Sequence, residues 1–164
     1  MLLFHDRRTT SHSTPPDRPT GPGGSSSAPT VVVIDDDVAV DESFGDMLRA
    51  AGYEPHTEAD CRSGLAYLET ARPSALILDL HLPDDSGLAC LRRLRAQPAH
   101  RTLPVAILTG DYFLDEEVAR ELSALGARVF FKPVWEQDLI RIVEQLCGSG
   151  PTVKAGGPTG GGRS

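Results

Sequence analysis

Asp35, Asp36 and Asp37 stand directly against the apolar run VVVI. Carboxylates about 4 Å apart repel by roughly 4 kcal/mol at an effective dielectric near 20, so a folded chain that crowds them has a cation to offset the repulsion. Three more polar residues end apolar runs of the same kind: Asp79 in ALILDL, Thr109 in PVAILT and Lys132 after VFF. Asp35, Asp36 and Asp79 together suit a hard divalent cation. Mg2+ fits best, because it takes an octahedral oxygen shell, keeps several waters and accepts phosphate oxygens. The Lys132 ammonium and the Thr109 hydroxyl are what a phosphoryl group needs on its other side, one to neutralise charge and one to donate a hydrogen bond. With Asp35 and Asp36 on the metal, Asp79 is the candidate nucleophile, since carboxylates form acyl phosphates in phosphoryl transfer.

These residues are far apart in sequence, so the set works only if the fold gathers them. Apolar runs alternate with helix-period segments, which argues for βαβ units and a parallel sheet. The predicted strands are VVVI, a weak YEPHT (53–57), ALILDL, PVAILT and VFF. Pro55 removes a ladder donor and places YEPHT at a sheet edge. Helices are predicted near 38–51, 62–70, 88–95, 116–125 and 136–147. In the first, Phe44, Met47, Leu48 and Ala51 form one stripe, and Gly52 is placed to end it; in the last, Leu139, Ile140, Val143 and Leu146 face inward. The predicted fold is α/β, a five-stranded parallel sheet of order 2-1-3-4-5 with helices on both faces. In such sheets ligands bind beyond the carboxyl ends of the strands, where Asp35, Asp36, Asp79, Thr109 and Lys132 all fall.

The chain has 164 residues, is 24% charged and 40% hydrophobic, and carries a formal net charge of -7. Residues 31–147 hold 11 Lys and Arg against 21 Asp and Glu, a balance of -10, which argues against direct binding to the phosphates of DNA or RNA. Cys61, Cys90 and Cys147 are odd in number and widely spaced, so reduced thiols are expected rather than a disulfide framework or a zinc site. The opening MLLFHDRRTT is too short an apolar run for a signal peptide, and no later run approaches a membrane span. A soluble, cytoplasmic protein without membrane insertion is expected. Residues 1–30 and 148–164, rich in Pro, Ser, Thr and Gly, read as disordered tails around a single domain at 31–147.

The set VVVIDDD, LILDLHLPDDSGL, VAILTG and FFKPV, in this order and spacing, resembles the receiver domain of two-component response regulators. The resemblance covers residues 31–147 and implies the flavodoxin-like sheet order above. It implies that Asp79 accepts a phosphoryl group from a sensor histidine kinase or a histidine phosphotransfer protein. It further implies that Asp35, Asp36 and Asp79 bind Mg2+ with the backbone carbonyl of His81, that Thr109 and Lys132 contact the phosphoryl oxygens, and that the output is binding to a downstream protein. By this resemblance the chain is a phosphoacceptor signalling protein and not an enzyme in the ordinary sense, and it reads as a stand-alone receiver.

There is one departure at the site. Three residues before Lys132, where many receivers carry a switching Tyr or Phe, this chain has Val129, and Phe130 takes the role only if the one-residue gap falls after it. Two other readings stay open: a receiver-like module that binds partners without phosphorylation, and a haloacid-dehalogenase-like phosphatase using Asp35 in a D-x-D pattern with Asp37. Among the simpler assignments, Asp37 caps the first helix, Asp84 and Asp85 in PDDSG are solvated, and Pro133 invites a cis bond. The five histidines show no ligand spacing. Trp135 is a packing residue at the start of the last helix, with partner contact as the alternative.

Overall fold

A computed structural model describes residues 27–148. The expected tails lie outside the described residues except for 27–30 and Gly148. Five strands, β1 (Thr30–Ile34), β2 (Glu54–Glu58), β3 (Ala75–Asp79), β4 (Val105–Thr109) and β5 (Ala127–Phe131), alternate with α1 (Val38–Ala50), α2 (Cys61–Thr70), α3 (Gly87–Ala96), α4 (Glu116–Ala124) and α5 (Glu136–Cys147). A single 3-10 turn, Pro98–His100, follows α3. The strands pair in parallel in the order β2-β1-β3-β4-β5, as predicted. β3 and β4 are buried along their whole length, which is why both read as unbroken apolar runs with no alternation. Pro55 sits opposite Val31 on the edge strand β2, where its missing N–H costs nothing in the ladder.

Period-two alternation along the central strands divides the core between the two faces. Val31, Val33, Ile77 and Leu108 meet Phe44 and Leu48 of α1 and Leu139 and Val143 of α5. Val32, Ile34, Leu78 and Ile107 face the other way, against Leu68 of α2, Leu91 of α3 and Leu122 of α4. Two expectations are adjusted. In α5, Leu139, Val143 and Leu146 are buried as expected and Ile142 joins them in the i, i+3, i+4, i+7 stripe, while Ile140 is partly buried against the same core face. Tyr53 precedes β2 and is buried against the α1 face of the core, so β2 begins one residue later than predicted.

The cysteine expectation is corrected. Cys61 and Cys90 are disulfide-bonded with Cα atoms 5.8 Å apart, while Cys147 is free. The first turn of α2 and the first turns of α3 pack side by side on one face of the sheet, and that tertiary contact brings together two residues whose separation of 29 gives no hint of pairing. One bridge between packed helices is not the loop-stapling framework that cysteine counting screens for.

A second long-range tie was invisible in the sequence. Arg95, near the end of α3, donates from Nε to the Leu125 carbonyl at 2.8 Å and from Nη1 to those of His100 and Leu103 at 2.7 and 2.9 Å. It thereby satisfies carbonyls at the C-terminal end of α4 and around the 3-10 turn, which have no partner within their own elements. His100, buried beside it, places Nε2 2.7 Å from the Leu68 carbonyl of α2. Arg95→Met keeps the aliphatic stem but strands the Leu125 and Leu103 carbonyls, while that of His100 keeps the Leu103 N–H at 3.3 Å, so it is expected to lower unfolding stability by about 2 kcal/mol, read as a lower urea midpoint at unchanged m-value.

Candidate functional site

The carboxyl ends of β1, β3, β4 and β5 form one rim. Asp35 follows β1 and is 2% exposed. Its backbone N–H donates to the Glu58 carbonyl at 3.1 Å, extending the β1–β2 ladder. Its Oδ1 accepts from the Asp37 N–H at 3.0 Å, and its Oδ2 accepts from Lys132 Nζ at 2.7 Å. Asp37 turns away to cap α1, accepting from the Ala39 N–H at 3.0 Å, as expected. Asp36 remains exposed at the mouth. Asp79, the last residue of β3, is 7% exposed, and its Oδ2 lies 3.5 Å from Lys132 Nζ. One oxygen from each of Asp35, Asp36 and Asp79 falls within 4.8 Å of the others. The lysine and the three carboxylates named from sequence thus meet at one place.

Lys132 is held from its backbone. Its N–H donates to the Thr109 carbonyl at 2.8 Å, and the peptide bond to Pro133 is cis. Thr109 is fully buried, and its Oγ1 accepts the Asp111 N–H at 3.0 Å. The hydroxyl hydrogen is left to donate to another acceptor. His81, two residues past Asp79, bridges back to Ser86 across the PDDSG turn. Gly87 closes that turn against the strand end, where a Cβ would meet the Asp79 carbonyl oxygen at 2.3 Å and Leu80 Cα at 2.8 Å. Only glycine permits this approach.

The PDDSG aspartates correct the sequence reading. Asp84 accepts from the backbone N–H groups of Cys61 and Arg62 at 3.1 and 3.3 Å, meeting unpaired donors at the N-terminus of α2. Asp85 pairs with Arg93 at 2.5 Å. Neither is simply solvated. Trp135 is also corrected: 70% exposed, it does not pack. At the position questioned for switching, Val129 packs partly buried on the α2–α4 side, and Phe130 packs on the α1–α5 side. Sequence reasoning missed Tyr112. From the β4–α4 loop its hydroxyl donates to the Lys132 carbonyl at 2.5 Å and its ring stacks on Phe131 with centroids 5.6 Å apart. The available signal was an aromatic pair, Tyr112–Phe113, in a polar loop directly after Thr109–Gly110.

Electrostatics set the chemistry. Burial raises the Asp79 pKa above the ordinary 3.8, Lys132 pulls it down, and Asp35 pushes it up again, with a net rise. Burial works against the Lys132 ammonium, but its hydrogen bond and charge contacts with Asp35, followed by those with Asp79, outweigh this and raise its pKa. One ammonium therefore serves two inward carboxylates, with a third at the mouth. This all-oxygen, net-negative donor set fits a hard divalent cation that retains water ligands, and Mg2+ meets that description.

Residues 31–144 match the family model described as response regulator receiver domain. Over 105 residues the chain is 33% identical to the probable transcriptional regulatory protein TcrX of Mycobacterium tuberculosis, a stretch that is 64% of this chain and 44% of that protein. The chain thus spans less than half the length of that curated relative. The chemotaxis response regulator CheY4 of Vibrio cholerae superposes with a TM-score of 0.67 at 28% identity, covering 73% of this chain and 98% of that one. A putative response regulator from Chloroflexus aurantiacus does so with a TM-score of 0.66 at 31% identity, covering 73% and 98%.

The shared ammonium predicts opposite outcomes for two substitutions in metal-free buffer at neutral pH. Asp79→Asn removes a carboxylate that folding disfavours and is expected to stabilise the chain by on the order of 1 kcal/mol. Lys132→Met leaves Asp35 buried without its partner and is expected to cost on the order of 3 kcal/mol. The Asp79→Asn gain is complete once pH exceeds the raised folded pKa. It shrinks as pH falls through the raised folded pKa and vanishes below the ordinary 3.8, where the carboxyl is neutral in both folded and unfolded chains. Urea titrations across pH check both signs.

Proposed function

The chain belongs to the response regulator receiver domain family, and we propose that it is a phosphorylation-controlled binding switch with Asp79 as the phosphoacceptor. The observation that carries this reading is the meeting of Asp35, Asp36 and Asp79 within 4.8 Å, with Lys132 Nζ 2.7 Å from Asp35 and 3.5 Å from Asp79. The proposed domain is residues 31–147. The phosphoryl donor is a phosphohistidine on a sensor kinase or a phosphotransfer protein. An Asp79 carboxylate oxygen forms a bond to phosphorus, the phosphorus–nitrogen bond breaks, and the departing imidazole nitrogen keeps the electron pair and takes a proton from solvent.

Asp79 is suited to attack because burial and the neighbouring Asp35 make its charged form reactive. Asp35 and Asp36, with Asp79 and the backbone carbonyl of His81, are the residues that would hold Mg2+. When bound, the ion supplies charge neutralisation between the incoming phosphoryl oxygens and the aspartates. Lys132, paired with Asp35 and Asp79, offers its ammonium to a phosphoryl oxygen. Thr109 donates its hydroxyl hydrogen to another, and the Asp111 N–H that it now accepts couples this step to the β4–α4 loop.

The phosphatase reading through Asp35 is disfavoured by geometry, since Asp35 is 2% exposed and both its oxygens are engaged by Lys132 and the Asp37 N–H. Absence of a membrane-crossing helix among the described residues agrees with the proposed cytoplasmic site of action. The unidentified downstream protein is recognised by whichever surface the two conformers present differently, because a phosphoryl group acts only through its unequal affinity for them.

Incubation of the whole chain with acetyl phosphate and Mg2+, read by intact mass and peptide mapping, tests the assignment. One added phosphoryl group on Asp79 is expected, with none in Asp79→Asn and little in wild type when the metal is chelated. Equal labelling of Asp79→Asn sinks the assignment. An unlabelled wild type favours the phosphorylation-independent module, as the aliphatic Val129 at the usual switch position would allow.

A further inference from the structure

Among the described residues, the exposed large apolar side chains are Tyr112, Phe113, Phe131 and Trp135, at 64%, 94%, 45% and 70% accessibility. They come from three segments at the same rim as the phosphoacceptor: the β4–α4 loop, the end of β5 and the residue before α5. No packing in the fold explains Phe113 or Trp135, and grouped apolar exposure marks an interaction surface. Part of the surface is already ordered, since Tyr112 is bonded to the Lys132 carbonyl and stacked on Phe131. Phe131 continues into a groove beside the β5 edge, whose apolar wall is Pro133, Val134 and Ile142 and whose polar wall includes Asp138 and Arg141. A preordered aromatic face loses less entropy when it is covered.

The charge around this face is mostly negative, with Arg141 at the groove end paired to Asp138. The stretches 111–117 and 133–138 contain Asp111, Asp115, Glu116, Glu117, Glu136 and Asp138 and no Lys or Arg, and all six of these residues are exposed. Asp138 shares Arg141 one turn along α5. Lys132, the cation between the two stretches, points inward to Asp35 and Asp79. Aromatic faces and carboxylates both attract guanidinium and ammonium groups. A second copy of the chain would bring the same carboxylates and a net charge of -7, and nucleic acid would bring phosphates. Repulsion disfavours both.

We propose that this aromatic, carboxylate-flanked rim docks a cationic amphipathic segment of a partner protein, with apolar side chains against Phe113, Phe131 and Trp135 and Lys or Arg beside the six carboxylates. The inference names the class of downstream partner for the switch above. It rests on that reading only for its regulation, through the hydrogen bond from Tyr112 to the backbone of Lys132.

Trp135 is the chain's single tryptophan, so intrinsic fluorescence reports this face directly. The probe is a synthetic amphipathic peptide with Leu along one side and Lys and Arg along the other, titrated into the full chain beside a twin in which Glu replaces the cations. The cationic peptide is expected to blue-shift Trp135 and to bind at least about tenfold more tightly than its twin, less so at high salt. Phe113→Ser, at a side chain 94% exposed, is expected to weaken it about fivefold or more without changing the thermal melt, and the pair Glu116→Gln with Glu117→Gln, in the first turn of α4, is expected to weaken it by a similar factor with only a small lowering of the melt.

Equal binding of the two peptides, no Trp135 shift, or full affinity in Phe113→Ser overturns the proposal. A Trp135 shift that depends on protein concentration alone overturns it in favour of self-association, and one abolished by removing residues 1–26 overturns it in favour of the chain's own N-terminal segment. Asp79 labelling is read separately by mass. Labelled chain that fails to bind peptide sinks the docking proposal alone, and peptide binding to a chain that cannot be labelled sinks the switch alone.

Discussion

One ammonium group holds the candidate site together. Lys132 Nζ lies between Asp35 and Asp79, with Asp36 at the mouth, and among the described residues it is the cation that pairs with both inward carboxylates. Its position depends on the backbone of β5 pairing with β4, where the Lys132 N–H meets the Thr109 carbonyl. Parallel order β2-β1-β3-β4-β5 is what makes β1, β3, β4 and β5 neighbours, so side chains at their carboxyl ends converge without any loop having to reach. The cost of gathering like charges is borne by a core buried on both faces of the sheet. That incomplete neutralisation leaves room for a divalent ion.

The sheet order and the convergence of Asp35, Asp36, Asp79 and Lys132 at one rim were legible because each leaves a mark that depends on local pattern. β3 and β4 are continuous apolar runs, Pro55 marks an edge, and a polar residue ending an apolar run marks the strand's carboxyl end. Asp79, Thr109 and Lys132 could be picked out on that basis before any coordinates. What could not be read has a common character. Pairing of Cys61 with Cys90, the three carbonyls held by Arg95, and Asp84 bonding to the backbone of α2 all rest on helix–helix and loop–helix packing. Such contacts carry no periodicity.

Tyr112 and Trp135 failed to show for a different reason. An aromatic residue is expected inside, and the sequence carries no sign that distinguishes a ring left in water from one that is packed. Ile140 shows the limit of pattern reading even within a helix. Ile140 lies about 100° around the helix from Leu139, at the margin of the stripe and only partly buried, while Ile142 lies within the stripe and is buried.

The PDDSG turn is bonded on three sides. Asp84 meets the start of α2, Ser86 caps α3 through the Ala89 N–H at 3.1 Å, and Gly87 lies against the Asp79 carbonyl. Surface turns usually absorb added or lost residues at small entropic cost. Here a change of one residue in length would misalign three anchors at once and carry the Asp79 end of β3 with it. Homologous chains should therefore vary freely in the loops at the opposite, amino end of the sheet while keeping the length of this turn constant.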